Sequence, residues 1–326
     1  MAALTWPRLA LLCVTPLVSV SGASVDAGIW LGDGSFRAHV VADAEGLREK
    51  YGPRFDPVRV ERVQRDGLEF LGEEGLIDEF SSRWSPPPGY ENGFEEGFLK
   101  ISVGLLRRTR ITPYRFWDPY PVRQPAVTQM VERSDLRAVF QQCLDAGRWR
   151  YVYRKAITVD PARGQVEISY EFQNMGREGF AFDQYNHNWL LMERGRSWAF
   201  ETSLNPGIQW LVAAQPTRSG MLFERAPEAP SYFTAPQHDR STGGWARCSD
   251  GLRQVTVVGL MPVSRLSIFV KDGFLAPEIF GVFQVKPGET VSWKRIYIFR
   301  KEQNDMSGKG KRQDRWFPDL ALPPGF

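Results

Sequence analysis

"GQVEISYEFQNMG", residues 164–176, decides the fold class. Val166, Ile168, Tyr170 and Phe172 occupy alternate positions, with Glu167, Ser169 and Glu171 between them. A period of two puts an apolar row on one face of an extended strand and a polar row on the other. The same short runs, bounded by Gly, Pro, Asn and Asp, recur as "RQVTVVGLMP" (253–262), "RLSIFVKDG" (265–273) and "GVFQVKPGETVSWKRIYIFR" (281–300). The last reads as a hairpin around "KPGE", whose Pro-Gly supplies a tight turn. Helical spacing is confined to a turn or two in "DAEGLREKYG" (43–52). Many strands with almost no helix predict an all-β chain of large antiparallel sheets packed as a sandwich. No fixed-period repeat and no linker interrupt the pattern, which predicts one domain over residues 24–300. "SRWSPPPGYENGFEEG" (82–97) reads as a long surface loop of the kind that borders a site. The charged, Gly-containing residues 301–326 read as a mobile tail.

The chain has 326 residues, 42% apolar and 13% aromatic, enough to bury a sizeable core. Eleven Trp and ten Tyr also supply faces for stacking on sugar rings or nucleobases. The net charge of +3 is spread among interspersed signs with no basic run before the tail, which argues against a nucleic-acid partner. "MAALTWPRLALLCVTPLVSVSGAS" (1–24) places Arg8 before a short apolar run and then Ser21, Gly22 and Ala23. That layout predicts a signal peptide over 1–23, cleaved before Ser24, and a periplasmic or secreted protein. The run is short for a bilayer, so no stable membrane span remains after cleavage. Leu12 stands before Cys13 where a lipoprotein signal has a small residue. In an oxidising compartment Cys143 and Cys248 are expected to be bridged or both buried. There is no CxxC, and His39, His187 and His238 are far apart, so no zinc site is expected. No phosphate loop, dinucleotide fingerprint or Gly-x-Ser-x-Gly elbow is present, and no cofactor is expected.

The candidate chemistry sits on strands. In "DQYNHNWLLME" (183–193), Asp183, Tyr185, His187 and Trp189 share one face, and Gln184, Asn186 and Asn188 the other. Both faces are polar near the middle. One reading is a core histidine with satisfied hydrogen bonds. The other is a cleft for a hydroxyl-rich ligand, where amides donate and accept, rings stack and His187 moves a proton. In "FLKISVGLLRR" (98–108), Lys100 either snorkels outward or enters a pocket. Glu278, in the apolar "FLAPEIFGVF", is paired, exposed at a strand end, or functional. Arg54 lies in a Pro-rich turn before a strand, exposed unless a site uses it.

Taken in order, five pieces resemble one family: "GPRFDPVRVERVQRDGLEFLGEE" (52–74), "GLIDEF" (75–80), "GFLKISVGLLRR" (97–108), "YNHNWLLME" (185–193) and "LAPEIFGVFQVKPGETVSWKRIYIF" (275–299). They look like bacterial proteins related to aldose 1-epimerases, in the galactose mutarotase-like superfamily, over roughly residues 28–300. The resemblance implies a β-supersandwich with a sugar-binding cleft on one sheet. It implies His187 as general acid toward the ring oxygen and Glu278 as general base on the anomeric hydroxyl. It also implies a second, earlier His and an Arg. No His lies between residues 40 and 186, which leaves Arg54 and Lys100 for that role. Tyr185, Asn186, Asn188 and Trp189 would shape the substrate-binding surface. An imidazolium of pKa about 6.5 and a carboxylate of about 4.3 make a workable acid–base pair near neutral pH. No metal or nucleotide is required.

The expected partner is a sugar or polysaccharide, and the expected activity that of an aldose 1-epimerase. The alternatives on the same fold are a non-catalytic sugar-binding protein and a polysaccharide lyase or hydrolase. The latter needs a second acid, for which Glu79, Glu95 and Glu96 are the candidates.

Overall fold

A computed structural model of the chain describes residues 28–204, 214–216, 220–224, 230–236 and 242–302. The expected signal segment, Cys13, His238 and the tail beyond Glu302 lie outside the described residues. Among the described residues, two large antiparallel sheets and a small one account for nearly all regular structure. The one α-helix, Ala44–Tyr51, falls where helical spacing was confined and is capped by Asp43, whose side chain accepts from Gly46 N (2.8 Å). It is too short to cross a membrane, and no other described helix could do so.

The nine-stranded sheet runs from Ile29–Gly32 through Phe36–Ala42, Val58–Arg65 and Leu71–Phe80 to Phe180–Leu191. It continues through Phe274–Val285 and Val263–Lys271 to Ser231–Pro236, and the ninth strand, Leu68–Glu69, pairs off this path with Val58–Arg65. The ten-stranded sheet has Arg253–Leu260, Thr290–Lys301, Gln165–Asn174 and Trp149–Asp160 at its centre. Val166, Ile168, Tyr170 and Phe172 all point inward, as their alternation predicts, and are buried. They meet Phe80, Phe180, Phe182 and Phe283 of the facing sheet in one continuous apolar core.

The "KPGE" turn departs from expectation. The turn itself is present: Glu289 N donates to Lys286 O (3.0 Å) and Gly288 adopts φ +78°. Its two arms, however, lie in different sheets. Phe274–Val285 pairs with Phe180–Leu191 and Val263–Lys271, whereas Thr290–Lys301 pairs with Gln165–Asn174 and Arg253–Leu260. A tight turn dictates reversal, not pairing. Both arms are buried strands that need partners on both edges, and a sandwich corner provides them.

The cysteines are a second departure. Cys143 and Cys248 are not bridged; Cys248 is buried and Cys143 only half-buried. Four strands separate theirs in the ten-stranded sheet, which at about 4.8 Å per step puts them far beyond disulfide reach. Burial also pushes the Cys248 thiol pKa well up. A thiol reagent applied to the native protein should therefore modify Cys143 well before Cys248. Peptide mass spectrometry would check this, and a Cys143–Cys248 cross-linked peptide would contradict the arrangement.

Candidate active site

The run "LIDEF" places two carboxylates side by side at the end of the strand Leu71–Phe80. Successive strand side chains point to opposite faces. Asp78 enters the space between the large sheets, and Glu79 stands on the other face. The neighbouring strand Phe180–Leu191 repeats the division in register, with Asn186 opposite Asp78 and Tyr185 opposite Glu79.

On the inner face Asp78 forms an ion pair with Lys155 and accepts from Tyr170 OH (2.9 Å) and from Gln184 Nε2. Gln184 Oε1 accepts from Arg295 Nη2 (2.8 Å) and Trp293 Nε1 (3.1 Å). Asn186 Oδ1 accepts from Gln184 Nε2 (3.0 Å). Asn188 Oδ1 accepts from Tyr297 OH (2.9 Å), and its amide donates to Pro277 O. These groups are buried and joined in one network, in which, among the described residues, Arg295 Nε and Nη1 make no hydrogen bond and Asp78 Oδ2 has only its ion pair with Lys155.

On the outer face Glu79 is fully buried and accepts from four directions. Arg54 Nε (2.8 Å) and Tyr185 OH (2.7 Å) donate to Oε2, where His187 Nε2 also lies at 2.9 Å. Lys100 Nζ lies 3.3 Å from Oε1. Burial raises the carboxyl pKa, but Arg54, Lys100 and His187 outweigh it and hold Glu79 well below the usual carboxylate range. The other ring nitrogen of His187, Nδ1, lies 2.8 Å from Glu278 Oε1, and Tyr232 OH donates to Glu278 Oε2 (3.2 Å). His187 thus stands between two carboxylates. Burial opposes its charge, yet Glu278 and Glu79 prevail and raise its pKa above the ordinary histidine value.

A cavity of about 410 Å³ opens over this face. His187, Glu278 and Arg54 reach it. Trp84, Phe116, Trp117, Tyr185, Trp189, Tyr232 and Phe269 form most of its wall. Two segments deliver the outer wall. Ser81 takes φ +65°, a conformation few non-glycine residues adopt, and turns the chain so that Ser82, Arg83 and Trp84 reach the cavity. Phe116 and Trp117 lie in the connection between Gly104–Leu106 and Val122–Pro125, which with Phe98–Lys100 form the small sheet; beside it Tyr90, Phe98, Tyr114 and Tyr120 make an aromatic cluster. Phe116 and Phe55 hold the Arg54 guanidinium between them at 4.0 and 4.4 Å from the ring centres.

Several solved structures share this architecture. A galactose mutarotase related enzyme from Lactobacillus acidophilus aligns over 85% of this chain and 98% of its own, with a TM-score of 0.53 and 9% identity. A galactose mutarotase-like protein from Lactobacillus casei ATCC 334 aligns over 84% and 100%, with a TM-score of 0.54 and 12% identity. The fold is galactose mutarotase-like. No protein-family profile matches the sequence, and no curated protein matches it.

On the galactose mutarotase-like frame, five of the residues singled out from sequence line one cavity: Arg54, Tyr185, His187, Trp189 and Glu278. Three do not. Asn186 and Asn188 point the opposite way, because strand alternation puts them between the sheets. Lys100 neither snorkels nor lines the cavity. It is 1% exposed, behind Glu79, and donates to Tyr114 OH (2.9 Å), Ser81 O (3.2 Å) and Phe80 O. Glu95 and Glu96 are exposed in the 82–97 loop, where Glu96 pairs with Arg148 (2.7 Å). Glu79, considered only as a second acid, is the hub of the polar cluster beneath this cavity. The signal for it was there: two adjacent carboxylates in an apolar strand must each find a partner, on opposite faces.

Proposed function

We infer that the protein binds a carbohydrate in the aromatic cavity and interconverts its anomers by proton transfer at His187 and Glu278. The observation that carries this reading is the 2.8 Å contact of His187 Nδ1 with Glu278 Oε1 at the cavity wall. A donor and an acceptor this close match a cyclic hemiacetal, in which the ring oxygen and the anomeric hydroxyl are bonded to one carbon. The ring oxygen takes the Nδ1 proton while the hydroxyl gives its own to Glu278 Oε1. The bond from anomeric carbon to ring oxygen breaks, its electron pair stays on the ring oxygen, and an aldehyde forms. Rotation about the next carbon–carbon bond and reversal of both transfers close the ring as the other anomer. His187 and Glu278 recover their starting protons, so the cycle needs no other reactant. Aromatic walls suit the apolar faces of a sugar ring.

A non-catalytic sugar-binding role is the second reading. The observation favouring it is that both ring nitrogens of His187 already face carboxylates, so substrate must displace one contact. A lyase or hydrolase has less support: Glu79 is held ionised away from the cavity wall, and Glu95 and Glu96 are outside it.

The test is anomer exchange of freshly dissolved aldoses, followed by polarimetry or NMR, with tryptophan fluorescence reporting binding. Acceleration over buffer is expected. Binding without acceleration would assign the non-catalytic role, and neither would remove the carbohydrate reading.

A further inference from the structure

We propose that Glu79 is a positioning residue that keeps a proton on His187 Nε2 throughout, so that Nδ1 alone exchanges a proton with the sugar. This rests on the acid role of His187 inferred above, but its physical content can be measured without turnover. Four groups face the imidazole closely: Glu79 from the strand Leu71–Phe80, Glu278 from Phe274–Val285, Arg54 from a turn ahead of the strand Val58–Arg65, and Tyr185 from its own strand; Lys100 and Tyr232 face its two carboxylate partners. Glu79 is 0% exposed and receives Arg54, Tyr185 and Lys100 as well as His187. A carboxylate so surrounded by donors stays ionised and can only accept. The hydrogen between Glu79 Oε2 and His187 Nε2 therefore belongs to the histidine. Arg54 Nη2, 3.3 Å from Nε2, has no lone pair to donate into there. The one mobile proton lies between Nδ1 and Glu278, on the cavity side.

The arrangement also sets a pH limit. With the folded pKa raised, the charged imidazolium persists above the ordinary histidine range, and the acid form is lost only as pH rises through that higher value. The sign for stability is the same. The contribution is complete below the unfolded-state pKa and disappears as pH rises through the folded one.

The experiment is a nitrogen-15 imidazole titration of the folded protein, with His187 assigned by its loss in His187→Gln. Wild type should keep Nε2 protonated at every pH and lose its charge at Nδ1, above the ordinary histidine midpoint. Glu79→Gln should lower that midpoint by about 1–3 pH units, and Glu79→Asp should restore part of the shift. In turnover, the alkaline limb of kcat should move down with the midpoint while KM changes little. A wild-type Nε2 that deprotonates first, or an unchanged midpoint in Glu79→Gln, would overturn the proposal. The wild-type tautomer decides even if Glu79→Gln does not fold. Lack of anomer exchange in wild type would instead count against the enzymatic reading and leave this result standing.

Discussion

Replacing His187 by alanine is expected to slow anomer interconversion by about 10²–10⁴-fold, the usual worth of one general acid. Glu278→Gln should do the same, because the amide can hold the anomeric hydroxyl but cannot take its proton. In the proposed cycle the two residues act together on one hemiacetal, His187 giving a proton as Glu278 takes one. Their effects should therefore not multiply, and the double variant should be little slower than either single one. Sugar affinity should fall much less than the rate, since the aromatic wall is untouched and the proton transfers mature only in the transition state. Polarimetry and fluorescence titration of the three variants beside wild type would check this. A strictly multiplicative double variant would show that the residues act independently, against the proposed concerted acid–base pair.

The second large effect belongs to the space between the sheets. Lys155→Met should destabilise the fold by about 3–5 kcal/mol, because it leaves Asp78 as a buried charge without its cation. Both side chains are almost wholly inaccessible, at 1% and 0% exposure. Asp56, whose Oδ2 lies 3.9 Å from Lys155 Nζ, would lose the same neighbour. Urea unfolding of Lys155→Met gives the value. Adding Asp78→Asn should recover part of it by removing the stranded charge. A loss near zero for the single variant would mean that Tyr170 and Gln184 suffice to hold Asp78.

The strand class was legible because it depends on local alternation, which residues 164–176 display without interruption. His187 and Glu278 could be singled out for a related reason: a polar group inside an apolar strand demands a partner or a use. Which face Asn186 and Asn188 take was not legible. Parity puts them together and opposite His187, but both faces of residues 183–189 are polar, so the sequence does not say which one meets the core. Lys100 is a similar case. Its destination depends on Glu79, Ser81 and Tyr114 coming together across sheets, contacts that leave no periodic trace. The destination of the strand after "KPGE" was hidden too, since turn chemistry is identical whether the chain doubles back within a sheet or crosses to the next.

That crossing has a consequence for how the molecule is made. The last described strand, Thr290–Lys301, lies inside its sheet, bonded to Gln165–Asn174 on one side and Arg253–Leu260 on the other. Until those final residues emerge during synthesis, the sheet exists as two halves with open edges facing each other. Completion must wait for a contact that spans more than a hundred residues of chain, which makes folding slow and the nascent chain dependent on protection from other open edges.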